Sequence, residues 1–567
     1  MTAANDFEAR LTAAAGLLQR GYPADAAAQL RALIAEAPSA RAHQVLGAAM
    51  RQIGDFTAAM DAYAEALRLA PRLAAAAVNL NELLIVSDRA AEALAVIAPF
   101  SDAPGTDHAA LYAKAQALKS MRRYDAAIEA YTQATLAAPT SGVAEHNLAG
   151  ALGDQQRFAE SEAAARRALG KGLDAPETWL VHARALQGVG RLDEAELAFG
   201  QAINRRPNYM DAHNDLAQLV WMRTADAAAA TAAVDAAIRL YPADVALRVT
   251  KAQVISGIAD AALAYAVLAE TPTKPSPIVQ VEVLAAQLAG EFDPPRALAH
   301  ARRAYDLSPG DQSAIATYCQ ALLANGAPDQ AARVAGELRQ RWSLNQHAIA
   351  LQATAWRMLG DRRADVLFDY DQFVRAYRID APGGWSSVDA YLADLGQALE
   401  RRHPFRGHPL GQSLRHGSQT HEGLLHSDDP AIAAFFQAID GPIRRHIAGL
   451  GHGADPLRKR ITDGYAVAGA WSVRLRPGGF HINHVHPMGW ISSACYIALP
   501  DAVGRGHEGW LKFGEPGVPT RPALEAQHFV KPEPGMLVLF PSYMWHGTVP
   551  FTGDQTRLSV AFDLLPA

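Results

Sequence analysis

Cysteine is nearly absent. The chain has two in 567 residues, Cys319 and Cys495, too few and too far apart in sequence for a disulfide framework or an all-cysteine metal site. Each is expected to be a plain core or surface thiol. A basic excess is also missing: acidic side chains outnumber basic ones 58 to 52, for a formal net charge of −6. That leaves no strongly positive face, and no nucleic-acid partner is expected. No run of about 18 apolar residues occurs, and residues 1–10 lack a basic stretch followed by an apolar one, so neither a membrane span nor a leader is expected and the predicted location is cytoplasmic. At roughly 100–200 residues per domain, the length excludes a single small core.

What is abundant changes along the chain. Residues 1 to about 375 are rich in alanine with Leu, Arg, Glu and Gln, whereas the remainder is rich in His, Gly, Pro, Trp, Phe and Val. In the first part Pro71, Pro139 and Pro207 are spaced by 68 residues, twice 34, with Pro38, Pro104 and Pro242 near the intervening marks. Other residues return at the same offsets. Leu46, Gly47, Ala59, Tyr63 and Ala66 precede Pro71; Ala115, Ala127, Tyr131 and Ala134 precede Pro139; Ala183, Ala195, Phe199 and Ala202 precede Pro207. Small residues let two antiparallel helices approach, an aromatic fills the gap, and proline ends the second helix. Later units are weaker: Leu216, Ala217, Ala233 and Ala236 with Pro242, then Ala297, Ala301 and Ala304 with Pro309. These residues resemble the tetratricopeptide repeat. The resemblance implies an all-α solenoid over 1–378, about ten or eleven helix pairs by length, with a concave face for a protein or peptide.

Register is lost from Tyr370 to Ser387, and Ala381-Pro-Gly-Gly-Trp385 reads as a turn between domains. Helices are expected near 388–402 and 430–450, joined by a His- and Gly-rich loop. From Ala470 short strands alternate with turns, at Trp471–Leu475, Phe480–His486, Trp490–Ala498, Gly509–Phe513, His528–Val530, Met536–Phe540 and Leu558–Leu564. That spacing predicts a sandwich or small barrel over 385–567 with a mouth able to hold a small ligand.

On a strand through Gly479-Phe-His-Ile-Asn-His-Val-His-Pro487, His484 and His486 share one face, with His481 and Asn483 on the other. A third histidine, His546, ends another strand. Three imidazoles that leave coordination positions open suit iron, zinc, copper or nickel. By the same period of two, Arg557 and Ser559 share a face, a guanidinium beside a hydroxyl fit to bind a carboxylate.

These motifs, with Trp490-Ile-Ser-Ser-Ala-Cys-Tyr496, Gly509-Trp-Leu-Lys-Phe513 and Gly535-Met-Leu-Val-Leu-Phe540, resemble the 2-oxoglutarate- and iron(II)-dependent dioxygenases of the prolyl-hydroxylase-like superfamily. The chain is similar to bacterial proteins that fuse tetratricopeptide repeats to such a domain. The resemblance implies a double-stranded β-helix (jelly-roll, cupin-like) with flanking helices, and the cosubstrates 2-oxoglutarate and dioxygen. It implies iron on His484, His486 and His546, and 2-oxoglutarate on Arg557 and Ser559. Tyr496 is either a further cosubstrate contact or a core residue. His486 departs from the family, which has an acid there. Three readings follow: a three-histidine iron site, which is favoured; a nearby carboxylate such as Asp501 or Glu508; or altered chemistry. His481 reads as a satisfied partner outside the barrel and is the alternative if the first ligand is another residue. His403, His408, His416, His421 and His426 read as a mobile rim or surface loop, Arg458-Lys-Arg460 as a solvated turn, and Trp490, Trp510, Tyr543 and Trp545 as core or rim aromatics. The expected function is hydroxylation of a protein recruited by the repeats. The alternatives are a non-catalytic repeat scaffold with a degenerate barrel, and a three-histidine iron dioxygenase that does not use 2-oxoglutarate.

Overall fold

The computed structural model describes residues 3–567 apart from 104–105, 259, 270–277 and 422. Pro104 and the side chain of His426 therefore lie outside the described residues. The chain forms two compact units, one ending at Arg205 and the other running from Arg206 to Ala567. Among the described residues, no helix is long and apolar enough to cross a membrane.

The first unit holds six helix pairs, from Ala3–Gln19 with Pro23–Glu36 to Pro176–Gly188 with Leu192–Arg205. The recurring residues make the buried seam: Ala59, Tyr63 and Ala66, then Ala127, Tyr131 and Ala134, then Ala195, Phe199 and Ala202 are all buried. Glycine at 47 is required by close approach, since a Cβ there would lie 2.7 Å from the Tyr63 ring. Helix starts are capped where the sequence offers an acceptor: Ser39 accepts from the Ala42 N–H and Asp55 from the Ala58 N–H, each satisfying a backbone donor the helix leaves open.

Among the described residues the second unit opens with five more pairs, from Met210–Thr224 with Ala227–Leu240 to Gln346–Met358 with the short Arg363–Leu367. One repeat departs from expectation. Ala230, Val234 and Ala237 form its buried seam, while Ala233 and Ala236 are only half-buried. The seam keeps its distance from the closing proline: these residues stand 12, 8 and 5 positions before Pro242, as Ala195, Phe199 and Ala202 do before Pro207.

Among the described residues nine strands follow: β1 (Arg375–Arg378), β2 (Leu414–Gln419), β3 (Tyr465–His481), β4 (Ile491–Ala498), β5 (Leu511–Phe513), β6 (His528–Val530), β7 (Met536–Pro541), β8 (His546–Thr548) and β9 (Arg557–Pro566). They make an antiparallel six-stranded sheet, β1-β7-β4-β9-β3-β2, and a three-stranded sheet, β6-β5-β8. This is the jelly-roll architecture of a double-stranded β-helix. Strands β4 and β7 are largely buried on both faces because helices cover the outer one: Phe435 of helix Pro430–Leu450 meets Phe562 of β9 edge to face, and the Tyr391 hydroxyl of helix Val388–Glu400 donates to Ala431 O.

The stretch Tyr370–Ser387 marks a change of element type within a continuous core. Strand β1 pairs with β7 along Arg375–Arg378, and one buried apolar cluster extends from Ala286 in the repeats to Leu564 in β9. Of the histidines read as a rim or surface loop, His416 and His421 are exposed but His403 and His408 are not. His403 lies buried between the hydroxyls of Ser418 and Ser472, and His408 Nε2 contacts Gly257 O at 2.9 Å. The Arg406 and Gly407 N–H groups both donate to Met222 O. Residue 407 must be glycine, since a Cβ would stand 2.6 Å from Trp221 O.

Candidate metal centre

His484, His486 and His546 come together between the two sheets, with a ligating atom of each within 4.8 Å of the others. The route is not the one period-two reasoning gives. Strand β3 stops at His481, and His484 meets His546 through an isolated bridge in which each N–H donates to the other's carbonyl. Because the chain leaves the strand, His481 does not face away. Its ring lies 5.9 Å from that of His484, and its Nδ1 bonds Ser413 Oγ at 2.9 Å. His546 begins β8, opposite Phe513 of β5. The loop carrying His486 is anchored at its far end by Arg460, which donates to Gly489 O at 2.7 Å. Arg458 pairs with Asp455, so the short basic run is structural and not a freely solvated turn.

Hydrogen bonding sets the tautomer of each imidazole. His484 Nδ1 lies 2.8 Å from Ile482 O, His546 Nδ1 lies 2.9 Å from Met544 O, and His486 Nδ1 lies 2.7 Å from Asp563 Oδ2. Two of these partners are carbonyls and the third is a carboxylate; none can donate, so each Nδ1 carries a proton and Nε2 is the atom each ring can offer to a metal. Those atoms converge: the Nε2 atoms of His484 and His486 are 3.3 Å apart. Burial, reinforced by the neighbouring His486, pushes His484 down to about 3, and burial holds His546 well below the usual imidazole range. Both are therefore neutral near pH 7. Three inward imidazole nitrogens with their outer nitrogens bonded are the donor set that a divalent transition metal takes. Trp471 stacks on His486, and Phe540 packs 4.6 Å from His546, which makes the walls apolar.

The anion side lies on β9. Val473 faces Ser559 and Leu475 faces Arg557 across β3 and β9. Arg557 is 2% exposed, its Nη1 is 3.4 Å from Ser559 Oγ, and its guanidinium carbon stands 4.9 Å above the Tyr496 ring. Arg557 Nε and the Tyr496 hydroxyl are buried without hydrogen-bond partners, and among the described residues no carboxylate pairs with Arg557. The ring contact contributes roughly 0.5–2 kcal/mol, whereas an uncompensated buried cation costs several kcal/mol. The imbalance fits an anionic ligand.

The two carboxylates named beforehand are elsewhere. Glu508 accepts from the backbone N–H and hydroxyl of Thr552, and the Asp501 N–H donates to Gln555 Oε1. The acid at the site is Asp563, six residues past Arg557 on β9, whose other oxygen accepts from Ser492 Oγ at 2.7 Å. Sequence reasoning passed over it, although its even spacing from Arg557 and Ser559 was a usable signal. Trp490, Tyr543 and Trp545 are core, with Trp490 donating to Leu457 O and Trp545 to Thr354 Oγ1, while Trp510 is half-buried and donates to Val503 O. Both cysteines are buried, and desolvation pushes the Cys319 thiol up to about 12.

A helical-repeat array leading into a double-stranded β-helix with three convergent imidazoles is the class that fold and site define. Residues 469–563 match the family described as "Putative 2OG-Fe(II) oxygenase", and residues 11–74, 108–141, 180–245 and 288–343 match tetratricopeptide-repeat families. The chain is thus a fusion of tetratricopeptide repeats to a C-terminal domain of that oxygenase family. Among solved structures it is similar to Pseudomonas aeruginosa PilF, at 18% identity and TM-score 0.34, covering 38% of this chain and 98% of that one. It is also similar to a tetratricopeptide repeat protein from Parabacteroides merdae, at 16% identity and TM-score 0.33, covering 49% and 97%. A comparison with curated proteins gives no match.

Proposed function

We propose that this protein is a 2-oxoglutarate- and iron(II)-dependent oxygenase acting on a protein or peptide held by its repeats. The observation that carries the reading is the set of three inward imidazole nitrogens beside a buried guanidinium that has no carboxylate partner among the described residues. His484, His486 and His546 would hold the metal. Arg557, with Ser559 and the Tyr496 hydroxyl, would take the distal carboxylate of 2-oxoglutarate, its negative charge matched by the buried guanidinium. When bound, iron and 2-oxoglutarate supply the oxidising chemistry, in which the cosubstrate loses carbon dioxide to become succinate and one atom of dioxygen enters a C–H bond of the substrate. The chain's own part is to orient and seclude. Backbone carbonyls fix two imidazoles, Asp563 fixes the third, and Phe513, Phe540 and Trp471 keep water from the metal side. A substrate bound on repeats joined covalently to the site meets it at raised local concentration.

The test is succinate release from 2-oxoglutarate under air with added iron(II). The parent is expected to turn over slowly even without substrate. His546→Ala and Arg557→Ala are expected to abolish turnover, the first with loss of the metal and the second with the metal retained. A parent that binds metal but forms no succinate, even with proteins captured on its repeats, would make the scaffold reading the better one.

A further inference from the structure

Each ligating imidazole needs an acceptor behind its Nδ1, and the three acceptors are not alike. His484 and His546 use neutral carbonyls two residues upstream in their own segments, Ile482 O and Met544 O. His486 alone uses a side chain, and a charged one: Asp563 Oδ2 at 2.7 Å, from a strand 77 residues away in sequence. The carboxylate is itself held. Its Oδ1 accepts from Ser492 Oγ at 2.7 Å, and Ser492 Oγ lies 2.8 Å from Ser542 Oγ. Ser542 also accepts the His486 N–H through its carbonyl, at 3.0 Å. A closed chain from Ser542 through Ser492 and Asp563 to His486 thus fixes both the backbone and the ring of one ligand.

Resting on the metal-site reading above, we propose that Asp563 is the positioning residue of the centre, supplying through the His486 ring the negative charge that its three neutral ligands lack. A carboxylate behind a ligating imidazole fixes the tautomer, stops the ring from swivelling and raises the basicity of Nε2; removing such a partner typically lowers metal affinity by about 10–100-fold. It also places the acid one imidazole away from the ion, outside its coordination sphere, so the open positions stay free for a dicarboxylate. The net charge beside Arg557 becomes that of two neutral imidazoles and one imidazole–carboxylate pair.

The experiment titrates the full-length apoprotein with Co(II), an air-stable stand-in for iron(II), following its visible absorption and the quenching of tryptophan fluorescence, to which Trp471 contributes with its ring stacked 6.1 Å from His486. Asp563→Ala is expected to weaken Co(II) by about 10–100-fold, and Asp563→Asn, which keeps an acceptor oxygen without the charge, by an intermediate factor. His486→Ala combined with Asp563→Ala should bind no more weakly than His486→Ala alone, because the carboxylate acts only through that ring. Equal affinity in parent and Asp563→Ala, or losses that simply add in the double variant, would overturn the proposal while leaving the metal site standing. Indistinguishable parent and Asp563→Asn would remove the charge argument and keep only the tautomer. A parent that binds no Co(II) would overturn the metal-site reading, and this proposal with it.

Discussion

Arg557 is the side chain whose environment demands a partner that the protein does not provide. It is buried, unpaired and seated on an aromatic ring. A charged hydrogen-bond partner is worth roughly 1.5–3 kcal/mol, so Arg557→Ala should weaken 2-oxoglutarate by about 10–100-fold in calorimetric titration of the metal-loaded protein. Unchanged affinity would place the cosubstrate elsewhere, or show that the iron chemistry does not use it. A second residue-scale expectation concerns pH. Burial, helped by the positive Arg474, pushes His403 down to about 3. The unfolded chain takes up that proton near pH 6.5, while the fold excludes it until about pH 3. The stability His403 contributes is therefore complete above pH 6.5 and is lost as pH falls from there towards 3, with a slope approaching about 1.4 kcal/mol per pH unit. His403→Gln can still bond Ser418 and Ser472 but does not titrate, so urea unfolding between pH 7 and 5 should show a slope shallower by one proton. An unaltered slope would mean that His403 is protonated inside the fold. At this scale the sequence was informative where chemistry and periodicity coincide, as with Arg557 and Ser559 on a continuous strand. It misled at His481, because the strand ends there, and it hid Asp563, whose role depends on a loop returning from 77 residues away.

The elements around the site are held by a helix that belongs to the repeats. Helix Gln346–Met358 receives the Trp545 indole N–H on Thr354 Oγ1 at 2.9 Å, and its Gln346 N–H donates to Pro487 O at 3.0 Å. His347 stands edge-on to Trp545, and Arg357 donates to Gly514 O and Glu525 O. One helix thus fixes the segments that precede His546 and follow His486. Thr354→Val keeps the shape of the side chain but leaves the Trp545 N–H buried without an acceptor, at a cost of about 1–3 kcal/mol. The expected result is a lower melting temperature together with weaker Co(II) binding; full Co(II) affinity in a destabilised variant would confine the helix to a supporting role. Element boundaries were legible in the sequence where caps and prolines mark them, and the 430–450 helix and β6 lie where expected. Strands β1, β2 and β8 were not legible. They are three to six residues long, and what makes them strands is partners distant in sequence, such as Arg375 with Leu539 and Phe513 with His546.

At the scale of the whole chain, composition changes near residue 380 but packing does not. The helix period ends there, and the sequence alone makes it a natural place to cut. The buried cluster that includes Ile349, Leu351 and Phe373 also includes Trp490, Tyr543 and Trp545, and a fragment beginning at 385 would expose that face. Burial stabilises by about 25 cal/mol per Å² of apolar area, so uncovering even a few such side chains removes several kcal/mol, comparable to the whole stability of a domain of that size. The compact unit beginning at Arg206 keeps those contacts. A fragment 206–567 should therefore unfold cooperatively and bind Co(II) as tightly as the full chain, while 385–567 should be aggregation-prone and bind weakly or not at all. The comparison also divides the labour of the repeats, since those after Arg206 would then be needed to build the site and the six pairs before it would remain free to select what is brought there. If 385–567 alone folds and holds metal at full affinity, the shared core is dispensable, and all eleven helix pairs return to being a recruiting surface.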